Sequence, residues 1–445
     1  EIQLGYNDGT RGEGVEYDEL DPARSRKVTS RFQQLRWQHD ADDSQYSLLI
    51  YHTDLLNRDS FYTPPLSEIL GVPPALIGFA FPGQSDQPIY LDYSNSDHRY
   101  EIEFQHNLRI GDDKRVVWGM STRMDESGGK GYFNREDLIV TRLHRLFGNL
   151  ELRAMEDLVF NLGATWEHSS LVGTYTSPRL AANYRLSRGH SLRASVSDAI
   201  RIPTVFEWAT DGAARFDDGT VIDQLTWGNT DLKPEKLRSY EIGYLGHFPA
   251  YHLSIDFKAY HDKLRDRNTT VKDRGFPEPD LDGDGLTSTL VSVNSGDVQI
   301  NGAEVSFTYR PNIRTQIIFN YAYARGKGWA LNSVNDPTNP WDTEDLQGDI
   351  PTHTRSLFAM HRLPHEIDIS ALYYKVSAMR WLGNGDRLGP HERLDLRAAK
   401  QIRLGAGQRA SVALAAQNVL KEYADFRDEN KFDTRVYLEL GLYLN

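Results

Sequence analysis

The sequence predicts an all-β fold, an antiparallel up-and-down transmembrane β-barrel. Three observations predict it: a period of two that recurs along the chain, connections that alternate between short and long, and a composition both polar and aromatic. Of 445 residues, 39% are hydrophobic and 11% aromatic, with 23 Tyr against 18 Phe and 8 Trp. Disordered chains carry few aromatics. A barrel with a wet interior fits the mixture, because one face of each strand meets water and the other does not.

Four segments show the period of two most clearly. Leu158, Phe160, Leu162, Ala164 and Trp166 alternate with Val159, Asn161, Gly163, Thr165 and Glu167. Leu180, Ala182, Tyr184 and Leu186 alternate with Arg179, Ala181, Asn183 and Arg185. Leu253, Ile255 and Phe257 fall on one face, and Ser254, Asp256 and Lys258 on the other. Near the C-terminus Val436, Leu438, Leu440 and Leu442 alternate with Arg435, Tyr437, Glu439 and Gly441. No stretch of comparable length has a convincing helical period.

Read in order, about eighteen strands are expected, spanning approximately 1–8, 29–39, 44–55, 96–108, 114–123, 139–153, 157–168, 176–186, 190–199, 238–247, 251–262, 292–310, 313–325, 352–362, 366–377, 391–402, 408–418 and 434–444. Most exceed the norm of about 5–6 residues for soluble strands. They suit the about 9–11 residues that a tilted membrane strand needs. Tyrosines cluster near strand ends, among them Tyr240, Tyr260, Tyr309, Tyr321, Tyr373 and Tyr443. A ring with an apolar body and a polar tip suits a headgroup girdle, although strand propensity alone also favours Tyr.

Between the strands, short connections such as 187–189, 248–250, 311–312 and 363–365 carry the Gly, Pro or Asn that set turn dihedrals. Long ones run over roughly 200–237, 263–291, 326–351, 378–390 and 419–433. Outer-membrane barrels have short turns on one rim and long loops on the other. No run suits a membrane helix: the best uncharged stretch, Ile69–Ser85, is interrupted by Pro73, Pro74 and Pro82. A membrane would therefore be crossed by strands, which must close so that every backbone group is paired. About eighteen strands enclose a lumen that must hold water or a plug, so the charged face is expected inside.

Other chemistries are excluded more simply. With 63 acidic and 50 basic residues the net charge is −13, which argues against a nucleic-acid partner. The chain has no Cys, so disulfides, thiolate catalysis and zinc–cysteine sites are absent. No Ser/His/Asp order suggests a triad, and no enzyme activity is expected. His361 and His365 have helical spacing, but Pro364 lies between them in a predicted turn.

A succession of local patterns resembles the barrel of TonB-dependent outer-membrane receptors. Ser177-Pro178-Arg179 is followed by Arg201-Ile202-Pro203-Thr204 with Glu207, then Asn229, Leu232, Pro234 and Glu235, then Tyr240-Glu241-Ile242-Gly243. Gly302-Ala303-Glu304, Pro351-Thr352-His353 and Asn418-Val419-Leu420 with Tyr423 follow in the family's order. These patterns span about 177–445; the first 170 residues agree in periodicity only. The resemblance implies a barrel of twenty-two strands, with a plug domain and a short TonB-contacting box before it. Neither plug nor box is recognisable here. The expectation is therefore that residues 1–445 are barrel, with the plug and the first hairpins missing upstream. The resemblance also implies a monomer in the outer membrane of a Gram-negative bacterium, in contact with lipid and lipopolysaccharide and with the TonB complex through the missing region.

The candidate site residues lie in the long loops. Arg201 and Glu207 read either as ligand contacts or as a pair that shapes a loop end. Trp208, Trp227, Trp329, Trp341 and Trp381 read either as a recognition surface or as loop packing. Asp280, Asp282 and Asp284, with Gly285, begin like a calcium loop, but the twelfth position is Val291 rather than Glu, which excludes an EF-hand. A loop-bound Ca²⁺ completed elsewhere and a solvated acidic turn both remain. No other cofactor is required. The resemblance implies energised uptake of a scarce ligand such as a ferric siderophore or another metal chelate; a passive channel or scaffold barrel is the alternative.

Overall fold

The computed structural model describes residues 1–14, 21–273, 289–334, 343–380, 386–405, 408–425 and 427–443. Among them eighteen long strands follow one another in a single antiparallel meander. They are β1 (Ile2–Glu13), β2 (Arg24–Ala41), β3 (Ser44–Arg58), β4 (Asn95–Ile110), β5 (Lys114–Gly128), β6 (Ile139–Met155), β7 (Leu158–Ser169), β8 (Gly173–Ser187) and β9 (His190–Arg201). The second half comprises β10 (Glu235–Phe248), β11 (Leu253–Arg265), β12 (Val298–Asn312), β13 (Thr315–Leu331), β14 (His353–Leu363), β15 (Ile367–Val376), β16 (His391–Gly405), β17 (Gln408–Gln417) and β18 (Arg435–Tyr443). No helix among the described residues is long and apolar enough to cross a membrane.

Several strands run further than the hydrophobic pattern suggested. β1 pairs with β2 from Ile2↔Leu35 to Glu13↔Arg24, and the backbone ladder continues where the side chains have turned polar. A strand expected over 292–310 is two: Thr289–Asn294 belongs to a loop, and β12 starts at Val298. Gly296, with φ of +77°, makes the break, and a Cβ there would lie 1.8 Å from the Trp329 carbonyl oxygen.

The two faces sort as expected. Asp256 and Lys258 line a lumen cleft of about 380 Å³ with Arg193 and Glu304. Arg193 sits 3.1 Å from Asp256, and Lys258 3.1 Å from Glu304. Phe257, between them in sequence, pairs with Tyr244 and Val305 on the opposite face and is exposed. A shallow apolar hollow on that outer face is lined by Leu180, Val196, Ile242 and Ala259.

Connections of two to four residues join β2 to β3, β4 to β5, β6 to β7 and each later pair on one rim. The opposite rim carries the long loops, with one exception: β7 and β8 meet through residues 170–172 alone. Three of the long loops share a five-stranded sheet. In it Asp211–Arg215 and Val221–Trp227 come from one loop, Asn268–Asp273 and Thr289–Asn294 from the next, and Ser333–Val334 from a third. These loops therefore lie on a common rim, as the alternation of connection lengths implied.

The apolar core lies in this cap rather than in the wall. Leu66, Ile77, Phe81 and Ile89, from loop 59–94, bury themselves against Phe216 and Ile222 of loop 202–234. Phe81 and Phe216 meet edge to face at 5.3 Å. The uncharged run Ile69–Ser85 supplies part of this core. Pro73 and Pro74 start the short helix Pro74–Ala80, the position where a missing N–H costs nothing.

Candidate functional site

The rim-facing residues form two layers, a folded cap and the mouth of the lumen under it. Loop 202–234 leaves β9 and returns to β10, and the recognisable patterns mark its base. Arg201 and Glu235 face each other across β9 and β10. The Arg201 guanidinium reaches Glu235 at 2.8 Å and Glu207 at 3.0 Å. Thr204 caps the helix Val205–Ala209: its hydroxyl accepts from the Glu207 amide at 3.1 Å, and the Glu207 carboxylate accepts from the Thr204 amide at 2.7 Å. This reciprocal arrangement satisfies two otherwise orphaned donors. Burial raises the Glu207 pKa, but Arg201 and the Thr204 amide outweigh it and hold the carboxyl below its ordinary range.

The return path is fixed by Asn229, whose side chain accepts from the Asp231 amide at 2.9 Å and donates to the Ser292 carbonyl at 3.0 Å. Leu232 and Pro234 are buried. Glu235 also accepts from the Asn268 amide at 2.7 Å, which ties in the next loop. Arg201 and Glu207 are thus brought together as an ion-paired clamp.

A third loop, 129–138, joins the cap through aromatic contacts. Tyr132 lies 5.7 Å from Tyr93 and 5.9 Å, edge on, from Phe206. The Thr210 hydroxyl donates to the Tyr132 carbonyl at 2.8 Å. Burial pushes the phenols of Tyr93 and Tyr132 above their ordinary range.

The candidate tryptophans divide. Trp227 and Trp329 are exposed on the cap at 42% and 52%. Trp208 is half-buried, and its indole N–H is shielded without a hydrogen-bond partner. Trp341 and Trp381, and the acidic residues Asp280, Asp282 and Asp284, lie outside the described residues. Sequence reasoning passed over the apolar residues of loop 59–94. Their signal was the uncharged run itself, a core segment set among polar neighbours.

Beneath the cap, the family-like patterns explain themselves as cross-strand fits. Gly302 pairs with Tyr260, and a Cβ at Gly302 would lie 2.2 Å from that ring. Glu304, two residues on, pairs with Lys258, whose ammonium is 5.4 Å from the Tyr260 ring centre. Gly243 likewise makes room for Arg193, which reaches Glu241 at 3.5 Å. At the mouth, a cleft of about 390 Å³ is bounded by Arg99, Arg123 and Asp125 on the wall and by Pro203 and Thr204 of the cap. Such a mouth can hold a polar or charged ligand between the cap and the lumen wall.

A charged lumen, an apolar outer face and a folded cap on the long-loop rim define a large membrane-spanning receptor-type barrel. A family profile described as TonB dependent receptor-like, beta-barrel, matches residues 3–419. The chain belongs to this family of TonB-dependent receptor barrels, proteins of the outer membrane of Gram-negative bacteria.

Among solved structures, a mutant of the ferric enterobactin receptor PfeA from Pseudomonas aeruginosa is similar at a TM-score of 0.70 and 13% identity, covering 98% of this chain and 66% of that one. The chain thus spans just under two thirds of that receptor's length. The FrpB iron transporter of Neisseria meningitidis gives 0.67 and 13%, covering 99% and 68%. The hemophore receptor HasR of Serratia marcescens, in complex with its hemophore HasA and heme, gives 0.70 and 14%, covering 99% and 68%. At these identities the likeness is one of fold. No curated protein matches the chain in sequence.

Proposed function

We propose that the chain is the barrel of an energised uptake receptor for a scarce ligand such as a ferric siderophore or another metal chelate. The observation that carries this reading is the cap. Three loops share one sheet and two share one apolar core, so the rim presents a fixed surface over the lumen mouth. Fixed geometry is what recognition needs. The passive alternative, a channel or scaffold, has no use for a built lid. The names of the similar structures, a ferric enterobactin receptor, an iron transporter and a heme-bound hemophore receptor, also support iron-linked cargo.

In this reading Trp227 and Trp329 contact ligand, Trp341 and Trp381 are further candidates for the same role, and Arg201 and Glu207 hold their loop in place. Asp280, Asp282 and Asp284 would offer hard oxygens to a loop Ca²⁺. The chain works as a monomer among lipid and lipopolysaccharide, and the TonB complex acts through a plug region outside this chain. That division is supported by the 66% coverage of the enterobactin receptor.

Uptake of radioiron presented as a panel of chelates, in cells with and without TonB, tests the proposal. Accumulation of one chelate that vanishes without TonB and falls in a Trp227→Ala, Trp329→Ala double variant is expected. Equal accumulation in both strains would favour the passive channel.

A further inference from the structure

Near the long-loop rim, three metal-ligating side chains converge on the outer wall. His52 and Asp54 stand two apart on β3, and His98 on β4 lies directly opposite Asp54. The same outward face carries the exposed Ile50 and Ile102; the intervening Thr53 and Arg99 line the lumen mouth, and His98 borders that cleft as well. The trio therefore sits just beyond the apolar belt, on the long-loop side. Its ligand atoms all lie within 4.8 Å of one another. Asp54 Oδ1 is 3.0 Å from His52 Nε2 and 2.6 Å from His98 Nδ1.

The hydrogen bonding around His52 sets its tautomer. His52 Nδ1 is 2.5 Å from the Gln33 side-chain oxygen, an acceptor, and the tautomer that satisfies this contact carries its proton on Nδ1. In a neutral imidazole the other nitrogen then holds a lone pair. That nitrogen is closed off from solvent and makes no hydrogen bond, yet it faces a carboxylate oxygen, itself an acceptor. Two lone pairs so placed repel unless a cation lies beside both. The ring is also fixed in orientation, because Tyr100 stacks on His52 with centres 4.5 Å apart. A ligating histidine whose other N–H is hydrogen-bonded is the usual arrangement around a protein metal ion. Arg31, opposite Asp54 on β2, extends over the Tyr6 ring at 5.8 Å.

We propose that His52 Nε2, Asp54 and His98 Nδ1 form a site for a divalent transition-metal ion on the outer wall, the ion displacing the proton that His98 Nδ1 otherwise shares with Asp54 Oδ1 and water completing the coordination. Two imidazoles and one carboxylate suit Zn²⁺ and its neighbours. Ca²⁺ and Mg²⁺ demand oxygen ligands throughout. The ion would join β3 to β4 near the long-loop rim.

The test is calorimetric titration of the intact, metal-stripped receptor in detergent with Zn²⁺, alongside the visible absorption of added Co²⁺. Saturable binding is expected, together with a Co²⁺ band of low-symmetry N/O coordination, neither competed by excess Mg²⁺ or Ca²⁺. His98→Gln and Asp54→Asn should abolish both signals. Gln33→Leu should weaken binding about tenfold, as loss of an orienting partner does. His168→Ala, a histidine elsewhere on the outer wall, should change nothing. Heat-modifiable gel migration identifies the variants that remain folded. Absence of Zn²⁺ binding in the parent, or binding unchanged in folded His98→Gln, would overturn the proposal and leave the trio as a cross-strand hydrogen-bonded cluster around Asp54.

Discussion

In the wall, the buried apolar side chains among the described residues, Val28, Ile139, Leu143, Ala181, Ala330, Val376, Ala413 and Ala415, are scattered over six strands. In the cap, Leu66, Ile77, Phe81, Phe216 and Ile222 are shut away from solvent together. The wall is held by continuous backbone ladders, such as the one from Lys27↔Arg58 to Ala41↔Ser44 between β2 and β3, and by lipid around its apolar face. The cap is held as a small soluble domain is, by an apolar centre. One chain thus follows two rules for where hydrophobic residues go, and the boundary between them is the rim. Damage to one region should be separable from damage to the other.

Sidedness gives the largest, all-or-none effect. A cysteine introduced at Asp217, exposed on the cap, should label in intact cells with an impermeant reagent. One at Arg188, in the β8–β9 turn, should not, and the native chain has no Cys to confuse the result. Equal labelling would undo the division of rims.

Next in size is the cap core. Phe216→Ala removes a buried ring and should cost the cap about 3–5 kcal/mol. Hydrogen exchange should rise across loops 59–94 and 202–234, while the barrel keeps its heat-modifiable migration. Global unfolding would mean that wall and cap are one cooperative unit. The converse variant, Phe257→Arg, places a charge on the lipid face and should cost about 2–4 kcal/mol near the midplane. Urea titrations of vesicle-inserted protein would measure it, and no cost would reverse the assignment of faces.

The clamp at the loop base should contribute least. Because the Glu207 pKa is lower in the folded protein than its ordinary value of 4.5, its contribution is complete above that value and is lost as pH falls through the folded pKa. Exchange protection of loop 202–234 should therefore drop on acidification. Glu207→Gln should flatten that dependence at a cost of about 1 kcal/mol, in line with a partly exposed ion pair. An unchanged pH profile would assign the dependence to other carboxylates.

The wall was legible in the sequence because a lipid-facing strand must show its period of two in every turn of the meander. Leu253 to Lys258 announce their faces without help from any neighbour. The cap was less legible. Thr289–Asn294 and Val298–Asn312 read as one strand because the break between them depends on Gly296 lying against the Trp329 carbonyl of β13, a contact between segments distant along the chain. The uncharged run Ile69–Ser85 was visible, but its partners Phe216 and Ile222 lie more than a hundred residues away. Gly302 and Glu304 could be matched to a family pattern, yet their roles need the register that sets them against Tyr260 and Lys258. His52 and His98 meet for the same reason, across a β3–β4 register that no spacing along the chain discloses.

The cap sheet joins its loops by parallel pairs, Thr226↔Leu290 and Lys272↔Ser333. Its strands come from loops carried by different hairpins, so they meet at the correct height only when β9 to β13 are in register. A slip of one residue between neighbouring wall strands would shift one partner by about 3.3 Å and turn its side chains to the wrong face. Contacts of this sequence separation form late. A wall misregistered between β9 and β13 should therefore leave these loops apart and open to proteases.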